Sequence, residues 1–172
     1  MTKFTATVCL PPTEPADVPS AIAGRMAPYE AEPNGEFNPA GEWDWWSVFA
    51  LAREAFLVLP GHDGDPRVLT AANVPRGVLA YDELEPLECL GGPRGLLDFA
   101  AMRARAARRY EAGDPFPSDL AQAVSWAVPG YAVVALDGSW TDASSDGYWE
   151  RANRYLDALA PDTLLVEVGC HM

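Results

Sequence analysis

KFTATVCL (Lys3–Leu10) stands near the start of the chain and DTLLVEVGCHM (Asp162–Met172) closes it. In the first, Phe4, Ala6, Val8 and Leu10 alternate with Lys3, Thr5 and Thr7. Successive side chains of a strand point to opposite faces, so this is the pattern of a half-buried strand. In the second, Leu164, Val166, Val168 and Cys170 repeat the alternation. Two strong strands at the two ends are consistent with a topology in which the first and last strands are antiparallel neighbours at the centre of the sheet.

Working inward, Pro11 and Pro12 stop the first strand, and Asp17 precedes a helix with Val18, Ile22 and Met26 on one side and Pro19 in its first turn. Residues 30–42, rich in Glu, Pro, Asn and Gly, read as a loop. The stretch WDWWSVFALAREAFLVL (43–59) mixes aromatic strand formers with a helix-forming Ala-Leu-Ala-Arg-Glu-Ala segment. It is read as a strand to about Ala50, followed by a bend. Residues 67–90 read as short strands and loops. A helix is expected over 94–112, with Leu96, Phe99, Met102, Ala106 and Tyr110 as its apolar stripe and arginines at 103, 105, 108 and 109 in its last turns. A short helix follows, ending near Val128. Tyr131–Leu136 is an apolar run of strand type that turns at Asp137-Gly138 toward Trp140. Residues 147–160 form a helix with Trp149, Ala152, Leu156 and Leu159 on one side. The order predicts one α+β domain over 1–172: a ferredoxin-like α/β sandwich with an antiparallel sheet and insertions between its second and third strands.

Composition bounds the partners. The chain has 172 residues, 25 acidic and 12 basic, a net charge of −13, and eleven of its twelve basic residues are arginine. Such a surface repels nucleic acid and anionic membranes and favours a basic protein partner, with mimicry of the charge of DNA as one use of it. Solubility alone is the plainer use. No apolar run reaches a membrane span, residues 1–10 do not read as a signal peptide, and Cys9, Cys89 and Cys170 are sparse and odd in number; a reducing cytoplasm is the expected compartment.

Several constellations invite chemistry. Cys170-His171 joins a nucleophile to a base, yet neighbours in a strand face opposite ways. His62-Asp63-Gly64-Asp65 offers ligands for a weakly held cation, and also reads as a solvated turn. Asp137, Asp142, Asp146 and Glu150 miss the calcium-loop spacing. The turn Gly91-Gly92-Pro93-Arg94-Gly95 before a helix resembles an anion cradle with Arg94 beside it, but has no GK[ST]. No metal or cofactor is called for. Trp43, Asp44, Trp45 and Trp46 are the most unusual feature: in a strand Trp43 and Trp45 share one face and Trp46 takes the other. An exposed Trp on an acidic surface is the chemistry of an interface hot spot.

Asn38-Pro39 with Trp43-Asp44-Trp45-Trp46, Gly92-Pro93-Arg94-Gly95-Leu96-Leu97-Asp98, Pro129-Gly130-Tyr131-Ala132-Val133 with Asp137-Gly138-Ser139-Trp140, and the terminal Cys170-His171 together resemble a group of uncharacterised actinobacterial and actinophage proteins. The group's pattern is roughly NPxxKWDWW(x)IGGRW, GPKGLLDLAGMR, VPGYAxVxxDGxW and VDCHI. The chain departs from it at 48–53, where the two glycines are missing, and at Gly169, where the pattern has Asp. The resemblance carries no activity over, and with the charge it implies an acidic interaction protein, such as a phage-type inhibitor or adaptor, with Trp43, Asp44, Trp45, Trp46 and Arg94 as binding residues. The alternative is a small enzyme or nucleotide binder using the 91–95 turn with His62 or His171.

Overall fold

A computed structural model of the protein describes residues 3–48, 56–70, 72–73 and 88–172. Its first and last strands, β1 (Lys3–Leu10) and β8 (Leu164–His171), pair antiparallel along their full length, from Lys3 opposite His171 to Leu10 opposite Leu164. They form the middle of the sheet, the place a ferredoxin-like order expects for them.

The rest of the sheet departs from a ferredoxin-like order. β6 (Ala132–Val134) lies on the other side of β1 and runs parallel to it, and β7 (Trp140–Asp142) follows antiparallel as an edge hairpin. The far side of β8 is shared by two short strands set end to end. β2 (Trp45–Val48) pairs with its second half, and β5 (Gly91–Pro93) with its first. The sheet is mixed, mostly antiparallel, where a ferredoxin-like sandwich is wholly antiparallel. Between β2 and β5 in the chain, β3 (Phe56–Leu57) and β4 (Glu88–Cys89) form a separate two-stranded pair. The bend expected after Ala50 lies outside the described residues.

Helices cover both faces. On one, α1 (Val18–Met26) buries Val18, Ile22 and Met26 against Ala6, Val8, Leu10, Val134, Val166 and Val168. On the other, α2 (Phe99–Glu111) and α4 (Tyr148–Asp157) bury Phe99, Met102, Tyr148, Ala152 and Leu156 against Cys9, Val133 and Leu165. α3 (Leu120–Ser125) packs on α2 and α4. From Ala6 onward β1 is therefore buried on both faces, where its alternation suggests one. The cost of burying Thr7 is met by a hydrogen bond, its Oγ1 accepting from Gly130 N at 3.0 Å.

α2 begins at Phe99, five residues later than the composition suggests. Asp98 is its N-cap, its Oδ1 accepting from Ala101 N at 2.8 Å, and residues 94–96 make one 3₁₀ turn before it. Asp119 caps α3 in the same way through Gln122 N. Asp17 precedes α1 without a side-chain cap bond.

The register sets a prediction for the cysteines. Cys9 lies opposite Leu165 and Cys170 opposite Phe4, about 17 Å apart along the strands at 3.3 Å per residue. They also point to opposite faces of the sheet. A disulfide needs Cα atoms within about 7 Å. Burial pushes both thiols up to about 12, away from the reactive thiolate. Mild oxidation of folded protein is expected to leave Cys9 and Cys170 unbridged by non-reducing mass spectrometry; a bridge between them would disprove this register.

Candidate functional site

Pairing of β2 with β8 brings together two stretches far apart in sequence. Trp45 sits opposite His171, and Trp46 opposite Cys170. Asp44, in a bend before β2, donates its backbone N–H to His171 O at 2.9 Å. Its Oδ1 lies 2.7 Å from His171 Nδ1. A carboxylate only accepts, so Nδ1 carries the proton. The pair is half open to water: the Asp44 side chain is 52% exposed and that of His171 19%.

The tryptophans divide differently from the strand alternation. Trp43 precedes the strand, separated from it by the bend at Asp44, so it does not share a face with Trp45. It is buried, and its Nε1 donates to Met26 O at 3.1 Å, satisfying a carbonyl at the end of α1. Trp46 is half-buried against the α1-side core. Trp45 is 48% exposed, beside Asp44 and His171. One ring of the three is thus available to a partner, with a carboxylate next to it.

Cys170 faces the core opposite to His171, as adjacent strand residues must, and its buried thiol is no nucleophile. On the His171 side of β2, Ser47 is buried and its Oγ lacks a hydrogen-bond partner among the described residues.

Arg94 is spent inside the fold. Its Nε donates to Leu156 O at 3.0 Å, its guanidinium lies 3.8 Å from the centre of the Phe99 ring, and Nη2 is 3.6 Å from Asp157. Burial lowers its pKa. The turn around it is no open cradle either. Arg94 N donates to Thr163 O and Gly95 N to Pro161 O, so these two amides are committed to the approach to β8. The glycines are explained by close packing: a Cβ on Gly91 would lie 2.1 Å from Leu165 O, and one on Gly95 would lie 2.8 Å from Pro161 Cβ.

Several of the remaining charged candidates are held by local partners. Arg103 reaches Asp157 and Asn153, Arg105 reaches Glu88, and Arg109 reaches Asp114. Asp65 is clamped by Arg67 at 2.7 and 3.0 Å, which pulls its carboxyl down to about 2. Asp137 and Asp142 accept from Ser139 and Ser144 in tight turns. Among the described residues no group of three or more His, Cys, Asp or Glu side chains is placed to hold a metal ion, and no helix is long and apolar enough to cross a membrane.

Two depressions stand out among the described residues, both around Trp126 and both without Arg94 or a histidine. Sequence patterning does not bring them forward. It assigns Trp149 to the apolar stripe of the last helix, whereas the ring is half-buried and lies 5.4 Å from Trp126. The available signal was Phe116, an aromatic ring set between two prolines in a polar loop, which is 74% exposed.

No family model, no curated protein and no solved structure matches this chain.

Proposed function

We propose that this chain is a non-enzymatic interaction protein that binds a basic protein partner, with Trp45 and Asp44 as the anchor, in the manner of a phage-type inhibitor or adaptor. The observation that carries the reading is the exposed Trp45 ring beside the Asp44 carboxylate on a chain of net charge −13. A half-exposed indole on a sheet strand offers a large, rigid apolar area at small entropic cost. Asp44 supplies the charge that steers a basic surface toward it, and His171 holds that carboxylate in place. The resemblance of the tryptophan motif to actinobacterial and actinophage proteins sets the suggested biological context.

The test is affinity capture from an actinobacterial lysate with wild type, Trp45→Ala and Asp44→Asn. A basic partner is expected, released by raising the salt. Trp45→Ala should weaken its binding about 30-fold, equivalent to about 2 kcal/mol, with the fold retained by circular dichroism. A captured set indifferent to both substitutions sinks the proposal.

A further inference from the structure

The loop between α1 and β2 carries the chain's one Asn-Gly step, Asn34-Gly35, at the tip of a tight turn. Asn34 stands at φ 58°, ψ 22° and Gly35 at φ 80°, and Glu36 N donates to Pro33 O at 3.1 Å. Left-handed backbone at two successive positions is what an Asn-Gly pair accepts most readily. Both residues are exposed, and a Cβ on Gly35 would have nothing within 4 Å. The backbone nitrogen that follows Asn34 is therefore uncrowded.

The fold treats the other three asparagines differently. Asn38 donates to Pro28 O and Glu30 O and accepts from Ala40 N. Asn73 donates to Pro66 O and Val68 O and accepts from Thr70 N. Asn153 donates to Ser125 O and Trp149 O and accepts from Arg103. Each of these amides is pinned by three hydrogen bonds, whereas Asn34 makes no side-chain hydrogen bond among the described residues. The next residue differs too. Pro39 has no N–H, Val74 is β-branched and Arg154 lies inside α4, so only Asn34 is followed by an unobstructed N–H.

We propose that Asn34 is a self-modification site, converted in the folded protein to a mixture of aspartate and isoaspartate. The deprotonated nitrogen of Gly35 attacks Cγ of Asn34. The new N–Cγ bond closes a five-membered succinimide, the Cγ–Nδ2 bond breaks, and ammonia leaves with the proton. Water then opens the ring at either carbonyl, one opening giving aspartate and the other rerouting the main chain through the side-chain carbons. Overall one water enters and one ammonia leaves. Gly35 N also donates to Glu32 O at 3.0 Å. That bond closes a single exposed turn, which opens locally at small cost, so it sets the pace of the reaction without preventing it. Either product puts a carboxylate between Glu32 and Glu36 and makes the chain one charge more negative than its −13. The stem below is held by Ala31 N to Trp43 O and Asn38 N to Ala31 O, which confines the change to the tip. The inference goes beyond the binding reading and does not rest on Trp45.

The test holds the folded protein at physiological temperature, at neutral and at mildly alkaline pH, and maps its peptides by mass spectrometry over time. A sample unfolded in urea supplies the unrestrained rate. Isoaspartate is told from aspartate by its acceptance of a methyl group from an isoaspartyl carboxyl methyltransferase. Conversion is expected at Asn34 while Asn38, Asn73 and Asn153 stay intact, and it should quicken at alkaline pH, where more of the attacking nitrogen is deprotonated. Gly35→Ala should slow it about tenfold, because the added methyl group crowds that nitrogen. Asn34→Gln should abolish it, since one more carbon spoils the five-membered closure. An Asn34 that stays intact in the folded protein while the unfolded sample converts would show that the bond to Glu32 locks the nitrogen, and overturns the proposal. Equal conversion at Asn73 or Asn153, or a Gly35→Ala protein that reacts as fast as wild type, overturns it as well.

Discussion

Phe99→Ala is expected to destabilise the fold by about 3–5 kcal/mol, which for a chain of this size lowers the melting temperature by about 6–20 °C. Phe99 is the first residue of α2 and is 3% exposed. Its ring lies against Phe56 of β3, centroids 6.4 Å apart, and carries the Arg94 guanidinium on its face. Alanine is the best helix former, so the loss does not come from backbone propensity. It comes from the cavity left between α2, β3 and the sheet, and from a guanidinium that keeps its bond to Leu156 O but loses the ring beneath it. Phe99→Leu, which retains most of the volume, should cost about 1.5 kcal/mol or less beyond the loss of that stacking. The measurement is chemical denaturation of the three proteins. Equal midpoints for wild type and Phe99→Ala would mean that this face of α2 does not pack on the sheet.

What was legible in the sequence was whatever depends on local periodicity. The alternations in 3–10 and 162–172 locate β1 and β8, and their antiparallel pairing, expected from a ferredoxin-like order, is present although that order is not. The stripe Val18, Ile22, Met26 is buried as read; of the stripe Leu96, Phe99, Met102, Ala106 and Tyr110 the first three are buried, Leu96 from the turn before α2, while Ala106 and Tyr110 are half-buried. Sheet order is not legible, because alternation marks a strand without saying which strand lies beside it: the parallel contact of β1 with β6 and the sharing of β8 by β2 and β5 leave no local trace. The tryptophans show the same limit at short range. A one-residue bend at Asp44 sends Trp43 into the core and Trp45 to the surface, and alternation is blind to a bend. Asp44 and Trp45 meet His171 through strand register, which no motif encodes. Arg94 was singled out for its neighbours in sequence, while its role is fixed by Phe99, Leu156 and Asp157.

The same substitution at two glycines should act with opposite signs, and the larger effect tests whether Gly91–Pro93 is a packed strand and not part of an open helix-start turn. A methyl group on Gly91 would sit 2.1 Å from Leu165 O and 2.9 Å from Val166 Cα, both backbone atoms of β8. Neither can move without disturbing the strand that also pairs with β1 and β2. β5 must therefore withdraw, putting at risk its pairing with Val166, Leu165 and Leu164 and the bond from Leu69 N to Gly91 O. Gly91→Ala is expected to cost about 3 kcal/mol or more, at the upper end of overpacking penalties. Gly24, by contrast, lies in α1 with nothing within 4 Å of its would-be Cβ. There alanine removes the conformational freedom of glycine from the unfolded chain and should stabilise by about 0.5–1 kcal/mol. Were residues 91–95 an open turn cradling an anion, an added methyl would meet only solvent and Gly91→Ala would be nearly neutral. Denaturant midpoints for the two variants decide between these accounts: a Gly91→Ala protein as stable as wild type refutes the packed strand.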